Sequence, residues 1–143
     1  PDGDHHILTF LSRSYHESIK TPDAHRAWMV SVKDGAFTSK EPIADPMLFY
    51  SRPKGTYTGK KNTDNVMLDF YPINAPLGTD YQVKAVVNGK EEFMIDNWQP
   101  YFLKGLPMGE NTVELTLMKD GAAVGAPLNP VTRTFTLAAD PAE

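Results

Sequence analysis

The chain contains no cysteine among its 143 residues. That excludes disulfides, thiolate metal centres, cysteine nucleophiles and the cysteine-ligated blue-copper site. No stretch approaches the roughly 20 consecutive apolar residues that a membrane-spanning helix needs. The opening Pro1-Asp2-Gly3-Asp4 has neither the basic nor the apolar region of a signal peptide, so an exported form is expected to have shed its targeting segment. Excess positive charge is missing too. The formal net charge is -4, which leaves no global field to draw in phosphate backbones, and nucleic acid is not expected as a partner.

What is present describes a folded β protein. Hydrophobic residues make up 41% and charged residues 22%, far from the low-hydrophobicity, high-charge signature of disorder. Twelve prolines and ten glycines punctuate short runs rich in Val, Leu, Phe and Thr, the pattern of strands joined by turns. Apolar and polar residues alternate along 111–117, 131–137 and 81–87, and less purely along 66–70, which is the period of a strand with one buried face. Asn88-Gly89, between the run ending at Val87 and the run Glu91 to Asp96, predicts a tight hairpin. Ser14 to Lys20 has no amphipathic stripe and allows one helical turn at most. The fold class expected is all-β, an immunoglobulin-like antiparallel β-sandwich.

Sliding the chain on itself shows a repeat. Pro1-Asp2-Gly3-Asp4-His5-His6-Ile7-Leu8-Thr9-Phe10-Leu11 aligns with Pro107-Met108-Gly109-Glu110-Asn111-Thr112-Val113-Glu114-Leu115-Thr116-Leu117. Both open on P-x-G-acid and run into an apolar strand. Arg26-Ala27-Trp28-Met29-Val30 then falls against Arg133-Thr134-Phe135-Thr136-Leu137 with a one-residue offset. In the second copy this hairpin is the last strand pair of a sandwich; in the first copy nothing precedes it. The expected organisation is therefore a C-terminal hairpin of an incomplete first sandwich over 1–35, a linker over 36–46, a complete sandwich over 47–139 and a tail over 140–143. A lone hairpin cannot bury its apolar face, so the alternative is that it packs on the second domain or on another subunit.

Four stretches carry a resemblance: Phe10 to Ser18, Tyr50-Ser51-Arg52-Pro53-Lys54-Gly55, Leu68-Asp69-Phe70-Tyr71, and Trp98-Gln99-Pro100-Tyr101 through Gly105 to Asn111. In these the chain resembles an uncharacterised group of Bacteroidota-like exported lipoproteins with tandem immunoglobulin-like domains. The resemblance implies two sandwiches, an extracytoplasmic address (periplasm or cell surface) and a lipid-anchored cysteine upstream. Members of that group carry no established activity, and with no catalytic motif in the chain neither an enzymatic activity nor a cofactor is expected. The chain departs from antibody-type domains in having no cysteine pair and no tyrosine on 111–117.

All four histidines lie in the first 25 residues. His5 and His6 are strand neighbours and point to opposite faces. Pairing 4–11 with 25–32 puts His25 beside Leu11, roughly 20 Å from His5 at about 3.3 Å per residue. A metal site thus reduces to His16 with His25, helped by Glu17 or Asp23. Ser12, Ser14, His16, Glu17 and Asp23 include the residue types of a hydrolase triad but no nucleophile elbow, and loop residues bonding their own backbone account for them as well. Arg13, Tyr15, His16 and Lys20, with the nearby hydroxyls, could hold an anion or a partner; a solvated loop is the plainer reading. Arg52, Lys54, Lys60 and Lys61 flank a glycine-rich turn and keep it soluble. Among the aromatics, Trp28 aligns with Phe135 and is expected in the core, whereas Trp98 and Tyr101 are candidates for a surface that stacks on sugar. The leading expectation is a non-enzymatic extracytoplasmic binding or structural module, an accessory subunit or interaction domain partnered by another protein at a cell surface or membrane. Ligand binding by the 12–25 loop, with a metal ion or small anion, comes second and carbohydrate binding third.

Overall fold

A computed structural model describes residues 1–10, 25–78, 80–126 and 129–142. The chain divides into two units, Pro1–Asp45 and Pro46–Glu143.

The first unit is a three-stranded antiparallel sheet in the order β1 (Gly3–Phe10), β2 (His25–Lys33), β3 (Ala36–Pro42). The hairpin joining β1 to β2 runs from Gly3↔Val32 to Phe10↔His25. That register is one residue away from the expected one, so His25 stands opposite Phe10 rather than Leu11. Part of the segment expected to be a linker is strand β3, bonded to β2 from Trp28↔Pro42 to Lys33↔Ala36 with a bulge at Ser31/Val32. Its cause is the dipeptide Asp34-Gly35. Both residues have positive φ, 51° and 76°, the combination that a two-residue type I′ turn requires and that folds a chain straight back on itself.

The second unit begins with β4 (Met47–Arg52) and β5 (Gly55–Thr58), followed by the single helical turn α1 (Lys60–Thr63). After these come β6 (Val66–Ile73), β7 (Tyr81–Val87), β8 (Glu91–Ile95), β9 (Tyr101–Leu103), β10 (Gly109–Lys119), the short β11 (Ala122–Ala123) and β12 (Val131–Ala138). One sheet has the order β4-β6-β9. The other has the order β5-β12-β10-β7-β8, with β11 added to β10. All pairs are antiparallel except β12 with β5. The chain crosses between sheets from β4 to β5, from β5 to β6, from β6 to β7, from β8 to β9 and from β9 to β10. This is the Greek-key order of an immunoglobulin-like sandwich, as the alternation predicted.

The core follows directly from that alternation. Val83, Ala85 and Val87 of β7, Val113, Leu115 and Leu117 of β10, and Phe135 and Leu137 of β12 meet Leu48, Val66, Leu68 and Phe70 of the facing sheet. Each of the valine, leucine and phenylalanine side chains contributes about 1.5–3 kcal/mol through burial. Strand β6 is buried along nearly its whole length on both faces, which explains why its alternation is impure. Asn88 and Gly89 both have positive φ, 52° and 66°, and Lys90 N–H donates to the Val87 carbonyl at 3.0 Å. The hairpin predicted there is present.

Two asparagines replace backbone pairing where ladders end. Asn129 Oδ1 accepts from Leu117 N–H at 2.7 Å, and its Nδ2 donates to the carbonyls of Leu117 at 3.1 Å and Val124 at 2.5 Å. Strand β12 stops pairing with β10 at Leu115↔Val131, so this amide stands in for the next strand residue. Asn111, fully buried on the inward face of β10, donates from Nδ2 to the carbonyls of Pro107 at 2.9 Å and Gly109 at 3.2 Å. Its Oδ1 accepts from Asn88 Nδ2 at 2.9 Å, and Asn88 Oδ1 in turn accepts from Thr112 N–H at 2.8 Å. The β7–β8 turn is thereby bonded to the start of β10.

Candidate interaction surfaces

The sequence singled out Arg13, Tyr15, His16 and Lys20, together with Ser12, Ser14, Glu17 and Asp23. All of these lie outside the described residues. His25 opens β2 and pairs through its backbone with Phe10. His5 pairs with Val30 and His6 with Met29, and as strand neighbours their side chains leave on opposite faces. The His5 Nε2 atom lies 2.7 Å from the Pro1 carbonyl oxygen. Among the described residues, no three or more His, Asp or Glu side chains gather into a possible cation site.

The two aromatic candidates of the second unit are engaged in its framework. Trp98 donates from Nε1 to the Phe70 carbonyl at 2.9 Å and meets Tyr71 edge to face, with ring centroids 6.1 Å apart. Tyr101 donates its hydroxyl to the Asn97 carbonyl at 2.6 Å. Its pKa is raised, chiefly by burial and further by the Asp96 carboxylate. Both rings pack against the core cluster. Tyr50 is held similarly: its hydroxyl donates to the Pro53 carbonyl at 2.5 Å, and burial, then Tyr57, raise its pKa while Arg133 opposes them. Of the basic residues flanking the glycine-rich turn, Lys60 is paired with Asp64 across one helical turn.

Sequence reasoning did not find the open groove at one end of the second unit. It has a volume of about 730 Å³ and lies between the β7–β8 turn and the stretch Phe102 to Pro107. Phe93 pairs with Ala85, a fully buried residue, and so belongs to the inward series of β8, yet it is 41% exposed. It lines this groove together with Phe102, Leu103 and Leu106.

The first unit presents a more extended feature. Residues directly opposite in a ladder share a face, so Ile7↔Trp28, His5↔Val30 and Val32↔Phe37 put Ile7, Trp28, Val30, Val32 and Phe37 on one side of the sheet. Trp28, expected in a core, is only half-buried, and the Arg26 guanidinium lies 6.0 Å from its ring centroid. Ile7 is 40% exposed and Phe37 79%. Among the described residues only Ala27 and Val30 of this unit are buried apolar side chains. The described residues of this unit form a sheet with no core cluster of their own.

The geometry of the repeat is visible in both units. Gly3 and Gly109 have φ of +122° and +98° and open β1 and β10. Four residues after each repeat's proline, a polar side chain folds back on the proline carbonyl: His5 Nε2 at 2.7 Å from Pro1 O, and Asn111 Nδ2 at 2.9 Å from Pro107 O. Strand β1 pairs antiparallel with β2 as β10 does with β12, and β3 occupies the flank of β2 that β5 occupies on β12. The ladders differ by two residues, Asn111↔Phe135 against His5↔Val30 rather than His5↔Trp28, a shift that keeps every side chain on its face. The environments differ sharply, since Val113, the counterpart of Ile7, is completely buried.

No family model and no curated protein matches the chain. Among solved structures, the chain is similar to the fibronectin(III)-like modules of Clostridium thermocellum CbhA, with 13% sequence identity and a TM-score of 0.48 over 96% of this chain and 87% of that one.

Proposed function

We propose that this protein is a non-enzymatic binding and structural module, an interaction domain or accessory subunit of an extracytoplasmic assembly at a cell surface or membrane. The observation that carries this reading is the apolar side of the first unit's sheet, where around the buried Val30 the neighbouring Ile7 and Phe37 are exposed and Trp28 and Val32 only half-buried. Apolar patches of that kind rimmed by polar residues mark protein contact surfaces. The sandwich supports the reading as a rigid carrier: its core is closed, and Trp98, Tyr101 and Tyr50 are fixed by hydrogen bonds to its own backbone. The test is affinity capture from cell-envelope extracts with the parent chain and with Ile7→Glu and Phe37→Glu variants. A specific partner retained by the parent and lost from both variants, with the melting of the second unit unchanged, is the expected result. An identical set of retained proteins from all three would remove the reading.

A further inference from the structure

Resting on that reading, we propose that β1 is an acceptor edge, along which another polypeptide adds an antiparallel β-strand with the chemistry of β7, apolar side chains at alternate positions. The internal repeat supplies the template. In the second unit β10 is paired on both flanks, by β12 and by β7, with Val113↔Val87, Leu115↔Ala85 and Leu117↔Val83. In the first unit β2 stands in the place of β12 and β3 in the place of β5, but among the described residues no strand holds the place of β7. Transferring the pairs of β10 onto β1 sets a valine opposite Ile7 and an alanine opposite Thr9. The added side chains then fall on the face that carries Trp28 and Phe37.

Strand β1 carries few of the features that protect a free edge. Gly3–Phe10 contains no lysine, arginine or proline, its one carboxylate is Asp4 near the start, and no bulge interrupts its pairing with β2, whereas exposed edges are ordinarily blunted by charge, proline or a bulge. An unpaired row of N–H and C=O groups beside an apolar face is what strand addition uses: the backbone gives affinity and the alternate side chains give selectivity. His5 fits the same template. Its counterpart Asn111 is where the β7–β8 turn, through Asn88, is bonded to β10, so His5 marks where the end of the incoming strand would arrive.

The test uses the full chain and a fluorescein-labelled peptide with the sequence of residues 80–88, which contains β7. Anisotropy titration should show saturable binding, weakened at least ten-fold by Ile7→Lys in the protein, and equally by peptides carrying lysine at the positions of Val83 and Ala85. Amide exchange should slow in β1 on peptide addition and stay unchanged in β10. Absence of binding, or protection confined to β8 or β10, would overturn the proposal. So would a β1-edge dimer, seen by light scattering and dissolved by Ile7→Lys, since a second copy would then be the occupant. Failure of the peptide while Ile7→Glu still loses its captured partner discards strand addition alone. Failure of both discards the interaction reading as well.

Discussion

Replacing Asn111 by alanine tests how a buried polar residue stabilises the sandwich. The side chain is fully buried and joins three segments: it donates to the carbonyls of Pro107 and Gly109 and accepts from the Asn88 amide. Truncation removes all three bonds and leaves the half-buried Asn88 amide short of an acceptor, while Pro107 and Gly109 are exposed enough to recruit water. At about 1 kcal/mol per net hydrogen bond and about 1–3 kcal/mol for a buried group left unpaired, the loss is about 2–4 kcal/mol. With a urea m-value of about 2 kcal/mol/M, the midpoint should fall by about 1–2 M. The chain has two tryptophans, so a Trp28→Phe background makes Trp98 the sole reporter of the second unit. Asn111→Asp should cost at least as much, because a carboxylate cannot donate to the Pro107 and Gly109 carbonyls. A double-mutant cycle with Asn88→Ala should show coupling above about 0.5 kcal/mol. An Asn111→Ala variant within about 0.5 kcal/mol of its parent, the range of an ordinary surface change, would refute the reasoning.

Three further outcomes follow from the same structure. Gly78→Ala should destabilise the second unit by about 2 kcal/mol or more in thermal melts, because Gly78 has φ +98° and an added Cβ would sit 2.8 Å from the Asp96 carbonyl oxygen. Asn129→Ala should cost about 1–3 kcal/mol by urea titration, since the Leu117 N–H loses its acceptor while the Leu117 carbonyl keeps the Val124 N–H at 2.9 Å, and should speed amide exchange at Leu117. Tyr50 has a folded-state pKa above its ordinary value of 10.0, so the folded state keeps a proton that the unfolded state has released. Stability is therefore unaffected by this group below pH 10 and falls as pH rises above it. Tyr50→Phe should be less stable at neutral pH, through loss of the bond to the Pro53 carbonyl, and should show a weaker alkaline decline.

Period-two alternation sufficed to read the sandwich in the chain, because its strands bury one face: Val83-Lys84-Ala85 and Val113-Glu114-Leu115 could be read directly. Strand β3 was not legible by that route. Ala36-Phe37-Thr38-Ser39-Lys40-Glu41-Pro42 has no apolar alternation, and among the described residues of its unit only Ala27 and Val30 are buried apolar side chains. The one signal for β3 was Asp34-Gly35, a turn dipeptide as strong as Asn88-Gly89 but without alternating residues on both sides. Asn111 stands at an inward position in an otherwise apolar series, where a polar residue gives no hint of which carbonyls it will meet across the fold. The groove beside Phe93 was illegible for a different reason. It is assembled from the β7–β8 turn and from Phe102 to Pro107, segments that meet only in the folded sandwich, so no single stretch of sequence announces it. The histidine pattern gave a partial answer: neighbouring positions put His5 and His6 on opposite faces, and the repeat alignment placed His5 against Asn111, whose contact with the proline carbonyl it shares.

One hairpin occurs twice in this protein, closed into a core at β10 and, among the described residues, open at β1. Since the chain has no cysteine, single replacements at equivalent positions, Ile7→Cys and Val113→Cys, report this directly through thiol labelling rates. Ile7→Cys should react at close to the rate of an exposed peptide thiol. Val113→Cys should react only through opening of the sandwich, slower by about three orders of magnitude or more. Equal protection of the two thiols would contradict the account.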